Sequence, residues 1–168
     1  PINQSTLCLE ISLPTNPMGT KDEEIALCTL AGINLGKLET LDDIQPLTDI
    51  LTRALDNLLD YQNYPMRAAE KNKLRRTLGI GVINYAYYLA KHGVRYSDGS
   101  ANNLTHELFE QFQYSLLVSS NKLAKDKGSC EKFRDTMYAK GQLPIDWYKK
   151  DVDDLHNAEY RCDWEGLR

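Results

Sequence analysis

The sequence lacks the long apolar run and the leader pattern of membrane or secreted proteins. No stretch approaches the ~20 consecutive apolar residues that a membrane-spanning helix needs. The first residues, PINQSTLCLEI, contain no basic region followed by an apolar region and a small-residue cleavage site. We therefore expect a cytoplasmic protein with no membrane partner.

An excess of positive charge is also absent. The chain has 20 Lys and Arg against 24 Asp and Glu, which gives a formal net charge of -4 and a pI near 5.4. Surfaces that bind nucleic acid concentrate Lys and Arg, so no nucleic-acid partner is expected. A basic cluster of Lys71, Lys73, Arg75 and Arg76 is interpreted as a solvated helix face, with a partner surface as the alternative.

Cysteine is scarce, and its spacing excludes the common zinc motifs. The four cysteines are Cys8, Cys28, Cys130 and Cys162, and no two of them form a C-x-x-C pair. No metal site is therefore expected. Without a leader the thiols should be reduced, which leaves buried structural thiols or redox chemistry. The residues alone favour the structural role for each cysteine.

A strand followed by a long helix indicates an α/β architecture. Residues 25–35, which include Cys28, are apolar on both faces, as is typical of a strand covered on two sides in a parallel sheet or barrel. Thr40 and Asp43 should cap the following helix, and Pro46 should kink it or split off a leading turn. Its apolar positions predict one buried stripe. The stripe comprises Leu47, Ile50, Leu51, Ala54, Leu55, Leu58 and Leu59.

A second strand and helix are predicted around two glycines. Residues 77–82, TLGIGV, form a short strand that leads into a helix over residues 83–92, ended by Gly93. Gly79 and Gly81 do not belong to a dinucleotide-binding loop, because the third glycine of that pattern is replaced by Asn84. Close packing of the backbone is the expected role of both glycines.

The rest of the chain is predominantly helical. A helix is predicted over residues 66–73, another from residue 102 or 103 to residue 127, and further ones over residues 129–139 and 146–155. In the long helix we expect Glu107 and Glu110 to face water and His106 to be a surface or boundary residue. The turn at residues 14–24 should be exposed. No repeat or linker interrupts the chain, so residues 1–168 are expected to form one unit, and the last residues, DWEGLR, look like a helix cut near its start.

The stretch richest in possible chemistry is the N-terminal one. Residues 6–13, TLCLEISL, form an apolar run that should be extended. In an extended chain, Cys8 and Glu10 share one face because they are two residues apart. Cys28 lies on the next apolar run. A thiol, a carboxylate and a second thiol therefore meet if the two runs lie side by side.

These stretches resemble the catalytic large subunit of class I ribonucleotide reductases over nearly the whole chain. The motifs that carry the resemblance occur in the family's order. They are QSTLCLEI, EIALCTL with NLG, RALDNLLDYQNYP, RRTLGIGVINYAYYLAKHG, RYSDGSANNLTHE and YAKGQLPIDWYKKD. The resemblance implies an α/β fold that is part of a ten-stranded α/β barrel, namely part of its second half with the finger loop.

By position, the resemblance implies a role for each of three residues. Cys8 would be the thiyl-radical residue of the finger loop, and Glu10 would be the general base that takes the 3′-hydroxyl proton. Cys28 would be one of two redox thiols that supply electrons by forming a disulfide. Cys130 and Cys162 match no catalytic position, so a structural role is expected for both.

Thr6 departs from the family pattern. It occupies the place of an asparagine that hydrogen-bonds the substrate hydroxyls, and a threonine hydroxyl cannot replace both the donor and the acceptor of an amide. Thr6 remains the substrate-binding candidate by position. The alternative is a non-catalytic assembly module that keeps the fold and has lost the active site.

The resemblance also implies partners, because the family's subunit is several times longer. The partner of Cys28 and the C-terminal thiols that reduce it again are missing here, so the chain should be inactive alone. It would need the remaining large-subunit segments, a ribonucleoside diphosphate substrate, a small subunit whose metal generates the radical, and an external thiol reductant. This chain itself would hold no cofactor, and a homo-oligomer is possible.

Overall fold

A parallel β-α-β unit forms the centre of the structure. The computed structural model describes residues 12–147 and 159–168. Strand β1 (Thr29–Asn34) pairs in parallel with strand β2 (Leu78–Ile83), with Thr29 opposite Leu78. The 18-residue helix α1 (Ile44–Tyr61) lies in the connection between them. Parallel neighbours need such a crossover, and the predicted α/β architecture is confirmed for this part of the chain.

Helices account for most of the remaining structure. The short helices α2 (Arg67–Glu70) and α3 (Asn72–Arg75) precede β2, and α4 (Tyr85–Lys91) follows it. The longest helix is α5 (Asn102–Lys127), and α6 (Trp164–Leu167) ends the chain. Short 3-10 helices lie at Leu35–Lys37, Leu41–Asp43, Glu131–Asp135, Tyr138–Lys140 and Pro144–Trp147. None of the helices in the described ranges has both the length and the apolarity to cross a bilayer.

Several boundaries differ from the prediction. The strand predicted over residues 25–35 begins four residues later, at Thr29. The helix predicted over residues 66–73 is divided into α2 and α3. Residues 129–139 form two 3-10 helices instead of one α-helix, and most of the helix predicted over residues 146–155 lies outside the described residues.

The hydrophobic core covers one face of the sheet. Ile33 of β1 is buried together with Leu35 and Ile44, and Leu89 of α4 and Leu108 of α5 close the cluster. Val82 of β2 is half-buried against it. Burial of these aliphatic side chains is the main favourable contribution to folding. The sheet therefore has a covered face and an opposite face that the core does not use.

The start of α1 matches its predicted capping. The backbone N–H of Thr40 donates to Asp43 Oδ2 at 2.9 Å, and the intervening residues form a 3-10 turn, Leu41–Asp43. Pro46 then falls in the first turn of α1, where a backbone N–H has no partner within the helix. The predicted leading turn is confirmed.

The predicted apolar stripe of α1 is wrong in part. Leu47, Ile50 and Leu58 are exposed, and so is Ala54. The buried positions of α1 are instead Ile44, Thr48, Thr52, Leu55, Asp56 and Leu59. Half of these are polar, because α1 packs against α5 through hydrogen bonds. Hydrophobic periodicity does not predict a contact between helices that is made by polar side chains.

Polar pairs join α1 to α5. Ser119 Oγ donates to Thr48 Oγ1 at 3.0 Å, and Lys122 Nζ donates to Asp49 Oδ2 at 2.8 Å. Seven residues further along α1, Lys127 Nζ donates to Asp56 Oδ2 at 2.7 Å. Residue numbers rise together along the contact, so the two helices run in the same direction.

Arg76 ties the end of α1 to the start of β2. Its backbone is in the left-handed region, with φ of 49°. The guanidinium donates to Asp56 Oδ1 at 2.5 Å and to both carboxylate oxygens of Asp60 at 3.0 and 2.9 Å. The interpretation of the basic cluster as a solvated face is therefore wrong for Arg76, and also for Arg75, whose side chain is bound to the buried Glu24.

Asp56 should be a main contributor to stability. Burial raises the pKa of its carboxyl, but hydrogen bonds from Arg76 and Lys127 outweigh burial and hold the pKa below its ordinary value of 3.8. The Asp56→Asn variant leaves both cations without their buried partner, so we expect the free energy of unfolding at pH 7 to fall by about 3 kcal/mol. Urea unfolding measures this loss.

The pH dependence of unfolding and a control variant test the role of Asp56 further. Because the folded pKa is lowered, the contribution of Asp56 is present above the unfolded pKa and is lost as pH falls through the folded pKa. Parent and variant should therefore converge in acid. Asp126→Asn removes an exposed ion pair with Arg53 and should cost less than about 1 kcal/mol. Equal losses in the two variants would contradict the role of Asp56.

Candidate functional site

Of the residues predicted to form a site, Cys28 lies in the described part of the chain. Thr6, Cys8 and Glu10 lie in residues 1–11, outside the described residues. Cys28 is half-buried and immediately precedes β1. The predicted strand over residues 25–35 includes Cys28, whereas in the structure Cys28 lies just before the first residue of β1. The candidate site is built from Cys28 and the sheet face beside it.

The sheet face next to Cys28 is open. On this side Leu30 lies opposite Gly79, Gly32 opposite Gly81, and Asn34 opposite Ile83. Leu30 is 59% exposed and Ile83 is 56% exposed. The prediction of a strand covered on both faces is thus wrong for this structure, since the core covers only the opposite face.

The two glycines of β2 differ in their surroundings. A Cβ atom on Gly79 would lie 2.5 Å from Leu30 Cδ2 and 3.5 Å from Cys28 Sγ. Close packing is therefore confirmed for Gly79. It is wrong for Gly81, where no heavy atom of the described residues, apart from the two chain neighbours, would lie within 4 Å of a Cβ atom. Gly81 leaves an area without side chains in the middle of the open face.

A polar cluster lies at the carboxyl ends of the strands. Asn34 Oδ1 accepts hydrogen bonds from the Gly36 backbone N–H and from the Asn84 side-chain amide, each at 3.1 Å. Asn84 has a positive φ of 65°, which is uncommon for a residue with a side chain. Sequence analysis had treated Asn84 only as the residue that breaks a glycine pattern. The cluster joins the ends of β1 and β2.

Glu24 and Arg75 hold the segment that leads to Cys28, and sequence analysis missed both. The predicted turn at residues 14–24 is confirmed as a turn, with Asn16 and Glu24 forming an antiparallel bridge. However, Glu24 is only 7% exposed. Its carboxylate accepts two hydrogen bonds from Arg75, at 2.5 and 3.0 Å. No local signal pairs two residues that are 51 positions apart in the chain.

Glu110 is the second buried carboxylate that was predicted to face water. It accepts hydrogen bonds from the backbone N–H groups of Arg161 and Cys162, and from the indole N–H of Trp164 at 3.0 Å. His106 Nε2 lies 4.0 Å from Glu110 Oε2 with most of its side chain buried. Glu110 thereby attaches the end of the chain to α5.

The described cysteines other than Cys28 are poor nucleophiles. Burial raises the pKa of the Cys130 thiol. Burial, together with the negative charge of Glu110, raises the pKa of Cys162 to about 11. Cys28, Cys130 and Cys162 form no disulfide bond with one another. Within the described ranges, no group of three or more His, Cys, Asp or Glu residues is arranged to hold a metal ion.

Comparison with known proteins identifies the family. The model of the ribonucleotide reductase barrel domain matches residues 1–168. The chain belongs to this family. The small parallel sheet with its crossover helix is thus a piece of a ribonucleotide reductase barrel domain.

Its relatives are reductase subunits from bacteria and a phage. The chain is 60% identical to the ribonucleoside-diphosphate reductase subunit alpha of Haemophilus influenzae over 172 residues. It is 59% identical to ribonucleoside-diphosphate reductase 1 subunit alpha of Escherichia coli and 52% identical to the subunit alpha of phage T4. In all three the match covers the whole of this chain but only 22 to 23% of the relative. The chain therefore spans less than a quarter of the length of these ribonucleotide reductase subunits.

The space beside Cys28 can be tested with a pair of alanine variants. Gly79→Ala should slow alkylation of Cys28 severalfold, because the new methyl group covers the thiol. Leu30 is exposed and can rotate, so the free energy of unfolding should change by less than about 1 kcal/mol. Gly81→Ala is the control and should leave the alkylation rate unchanged. The rates are measured with iodoacetamide and peptide mapping, and equal rates in the two variants would contradict the described packing.

Cys162 should react slowly until the pH is high. With a pKa of about 11, on the order of 0.1% of this thiol is ionised at pH 8, so alkylation should be roughly 100-fold slower than for an ordinary cysteine. Glu110→Gln removes the nearby charge and should shift the midpoint of the rate-pH profile downward. Glu107→Gln is the control, since Glu107 binds the Arg161 side chain at 2.6 Å. A midpoint that is the same in both variants would refute the role of Glu110.

Proposed function

We propose that residues 1–168 form one unit of the catalytic barrel of a class I ribonucleoside-diphosphate reductase large subunit. The observation that carries the proposal is the match to the barrel-domain family along the entire chain. It is supported by 59 to 60% identity to the bacterial alpha subunits. The reaction is radical-based reduction of ribonucleotides to deoxyribonucleotides.

In this proposal Cys8 and Glu10 carry out the first step. The Cys8 thiyl radical removes the hydrogen atom from C3′ of the ribose and becomes a thiol. Glu10 accepts the proton of the 3′-hydroxyl as the radical moves, which is general-base work. Loss of the 2′-hydroxyl follows, and that group needs a proton in order to leave as water.

Cys28 serves the reducing step. Together with a second thiol outside this chain, it protonates the departing 2′-hydroxyl and gives two electrons while an S–S bond forms. Two thiols are oxidised to one disulfide for each ribonucleotide reduced, and the hydrogen atom returns from Cys8 to C3′. An external thiol reductant then restores the pair.

The structure supports this role through the surroundings of Cys28. The thiol lies beside the open sheet face, to which Gly32, Gly79 and Gly81 contribute no side chains, while Leu30, Asn34 and Ile83 do. Such a surface leaves room for a substrate or a second thiol to approach the sulfur. Cys130 and Cys162, whose pKa values are raised by burial, are structural.

The proposed enzyme requires partners. The radical comes from a metal-containing small subunit, and the remaining segments of the large subunit complete the barrel around the ribonucleoside diphosphate. The chain is inactive alone and acts in the cytoplasm.

A second candidate function rests on Thr6. If Thr6 cannot anchor the substrate hydroxyls, the chain is a non-catalytic assembly module that has the same fold and a lost active site. The amide of an asparagine donates and accepts at once, whereas a threonine hydroxyl is a single group on a shorter stem. The same experiment separates the two functions.

The test is reconstitution with complementary large-subunit segments and a radical-generating small subunit. Reduction of a ribonucleoside diphosphate is measured for the parent chain and for Cys8→Ser, with Cys130→Ser as the matched control. We expect turnover in the parent and in Cys130→Ser, and none in Cys8→Ser, because an alcohol cannot replace the thiol as the radical site.

Two outcomes would contradict the proposal. Activity that is indifferent to Cys8→Ser would exclude the assigned radical site. Activity that appears only after Thr6→Asn would favour the assembly module, since the chain would then keep every catalytic group except the substrate anchor.

A further inference from the structure

Glu24 lies where two segments of the chain meet. Its backbone pairs with Asn16, with N–O distances of 2.9 and 3.2 Å. Through Asn16 it holds the segment that continues back towards residue 12. Four residues after Glu24 comes Cys28. Glu24 thus connects residues 12–16 to the segment that carries the Cys28 thiol.

The side chain of Glu24 fixes this junction to the helices before β2. Both carboxylate oxygens accept hydrogen bonds from the Arg75 guanidinium at the end of α3. The side chain of Glu24 is 9% exposed and that of Arg75 is 19% exposed. A two-bond contact of this kind sets orientation as well as distance.

Further contacts extend the attachment towards Cys28. The backbone N–H of Ile25 donates to the carbonyl of Ala68 in α2 at 3.3 Å. The hydroxyl of Thr77 donates to the carbonyl of Leu27 at 3.3 Å. The segment from Glu24 to Cys28 is therefore attached to the chain before β2 at Glu24, Ile25 and Leu27.

The segment before Cys28 lies apart from the main hydrophobic core. In the described part of the chain, none of residues 12–28 contributes a side chain to the buried hydrophobic cluster, whose members begin at Ile33. The buried residues of this segment are the polar Thr15, which is 5% exposed, and Glu24, which is 7% exposed. The Glu24–Arg75 ion pair therefore holds this segment together with the half-buried side chains of Ile25 and Leu27.

We propose that Glu24 and Arg75 form a positioning pair, which holds the segment that leads to Cys28 in place for the reducing step. The inference rests on the proposed function, because Cys28 is the thiol assigned to the reducing step. Neither residue of the pair touches the reacting atoms. Their effect is on the position of the Cys28 thiol.

The test uses the full-length large subunit that contains this sequence, together with its small subunit. Arg75→Lys keeps the positive charge but loses the two-bond fork. Misplacement of catalytic groups by ~1 Å costs on the order of 100-fold in rate, so we expect kcat to fall at least about tenfold while KM for the ribonucleoside diphosphate stays within about twofold. Glu24→Gln, which keeps the size of the side chain, should act in the same direction.

A second readout does not depend on activity. Alkylation of Cys28 should become about tenfold faster in Arg75→Lys, because the segment before it opens more often. Alkylation of Cys162 serves as the internal reference and should not change. Arg53→Lys is the matched control, since it alters an ion pair with Asp126 whose side chains are 52% and 57% exposed.

The outcomes separate the two proposals. If kcat and the Cys28 alkylation rate in Arg75→Lys and Glu24→Gln equal those of Arg53→Lys, the positioning role is wrong. Parallel increases at Cys28 and Cys162 indicate general unfolding and also overturn it. A parent enzyme without reductase activity refutes the proposed function, and selective alkylation of Cys28 then decides alone whether the pair positions this thiol.

Discussion

The parallel pairing of β1 and β2 is the constraint on which the rest of the structure depends. Parallel strands require a long connection, and α1 with the short helices α2 and α3 supplies it. The core then covers only one side of the pair, through Ile33, Ile44 and Leu108. The other side, beside Cys28, is left open as a direct consequence of where the connection packs.

Polar contacts, in addition to the core, decide how the helices sit on this sheet. Asp56 is buried between Arg76 and Lys127, and Glu24 is buried against Arg75. Burial of a carboxylate without a partner is unfavourable, whereas burial of an apolar group is favourable. Each of these contacts therefore favours the one arrangement of helices in which the carboxylate meets its cation. The position of each helix depends on the charge and shape of both partners in a pair. Conservative substitutions of these residues are therefore expected to change helix placement.

The sequence predicts local features well where the cause is local. Thr40, Asp43 and Pro46 together specify the leading turn of α1, because capping and the missing N–H of proline act within a few residues. The strand through Gly79 and the helix end at Gly93 are predicted for the same reason. The family resemblance, carried by long motifs, is confirmed for the whole chain.

Features that depend on contacts between distant parts of the chain could not be predicted from local sequence patterns. Leu47, Ile50 and Leu58 have the spacing of a core stripe, but the position of α5 makes the neighbouring Thr48 and Asp56 the buried residues. Glu24 and Glu110 look like solvent-facing acids until their distant donors are known. For the candidate site, the place of Cys28 in an apolar run was predictable, whereas its position at the entrance to β1 and the open face beside it depend on which strand pairs with which.

The shared direction of α1 and α5 has an electrostatic consequence. Neighbouring helices that run the same way place their backbone dipoles side by side, and here the carboxyl ends of α1 and α5 lie level, so their negative partial charges face each other. The side chains between them oppose this repulsion, since Lys122 and Lys127 of α5 face the carboxylates of Asp49 and Asp56 on α1. Salt screens the exposed pair at Asp49 more than the buried one at Asp56. The two helices are therefore held most firmly towards their carboxyl ends, next to the entry into β2.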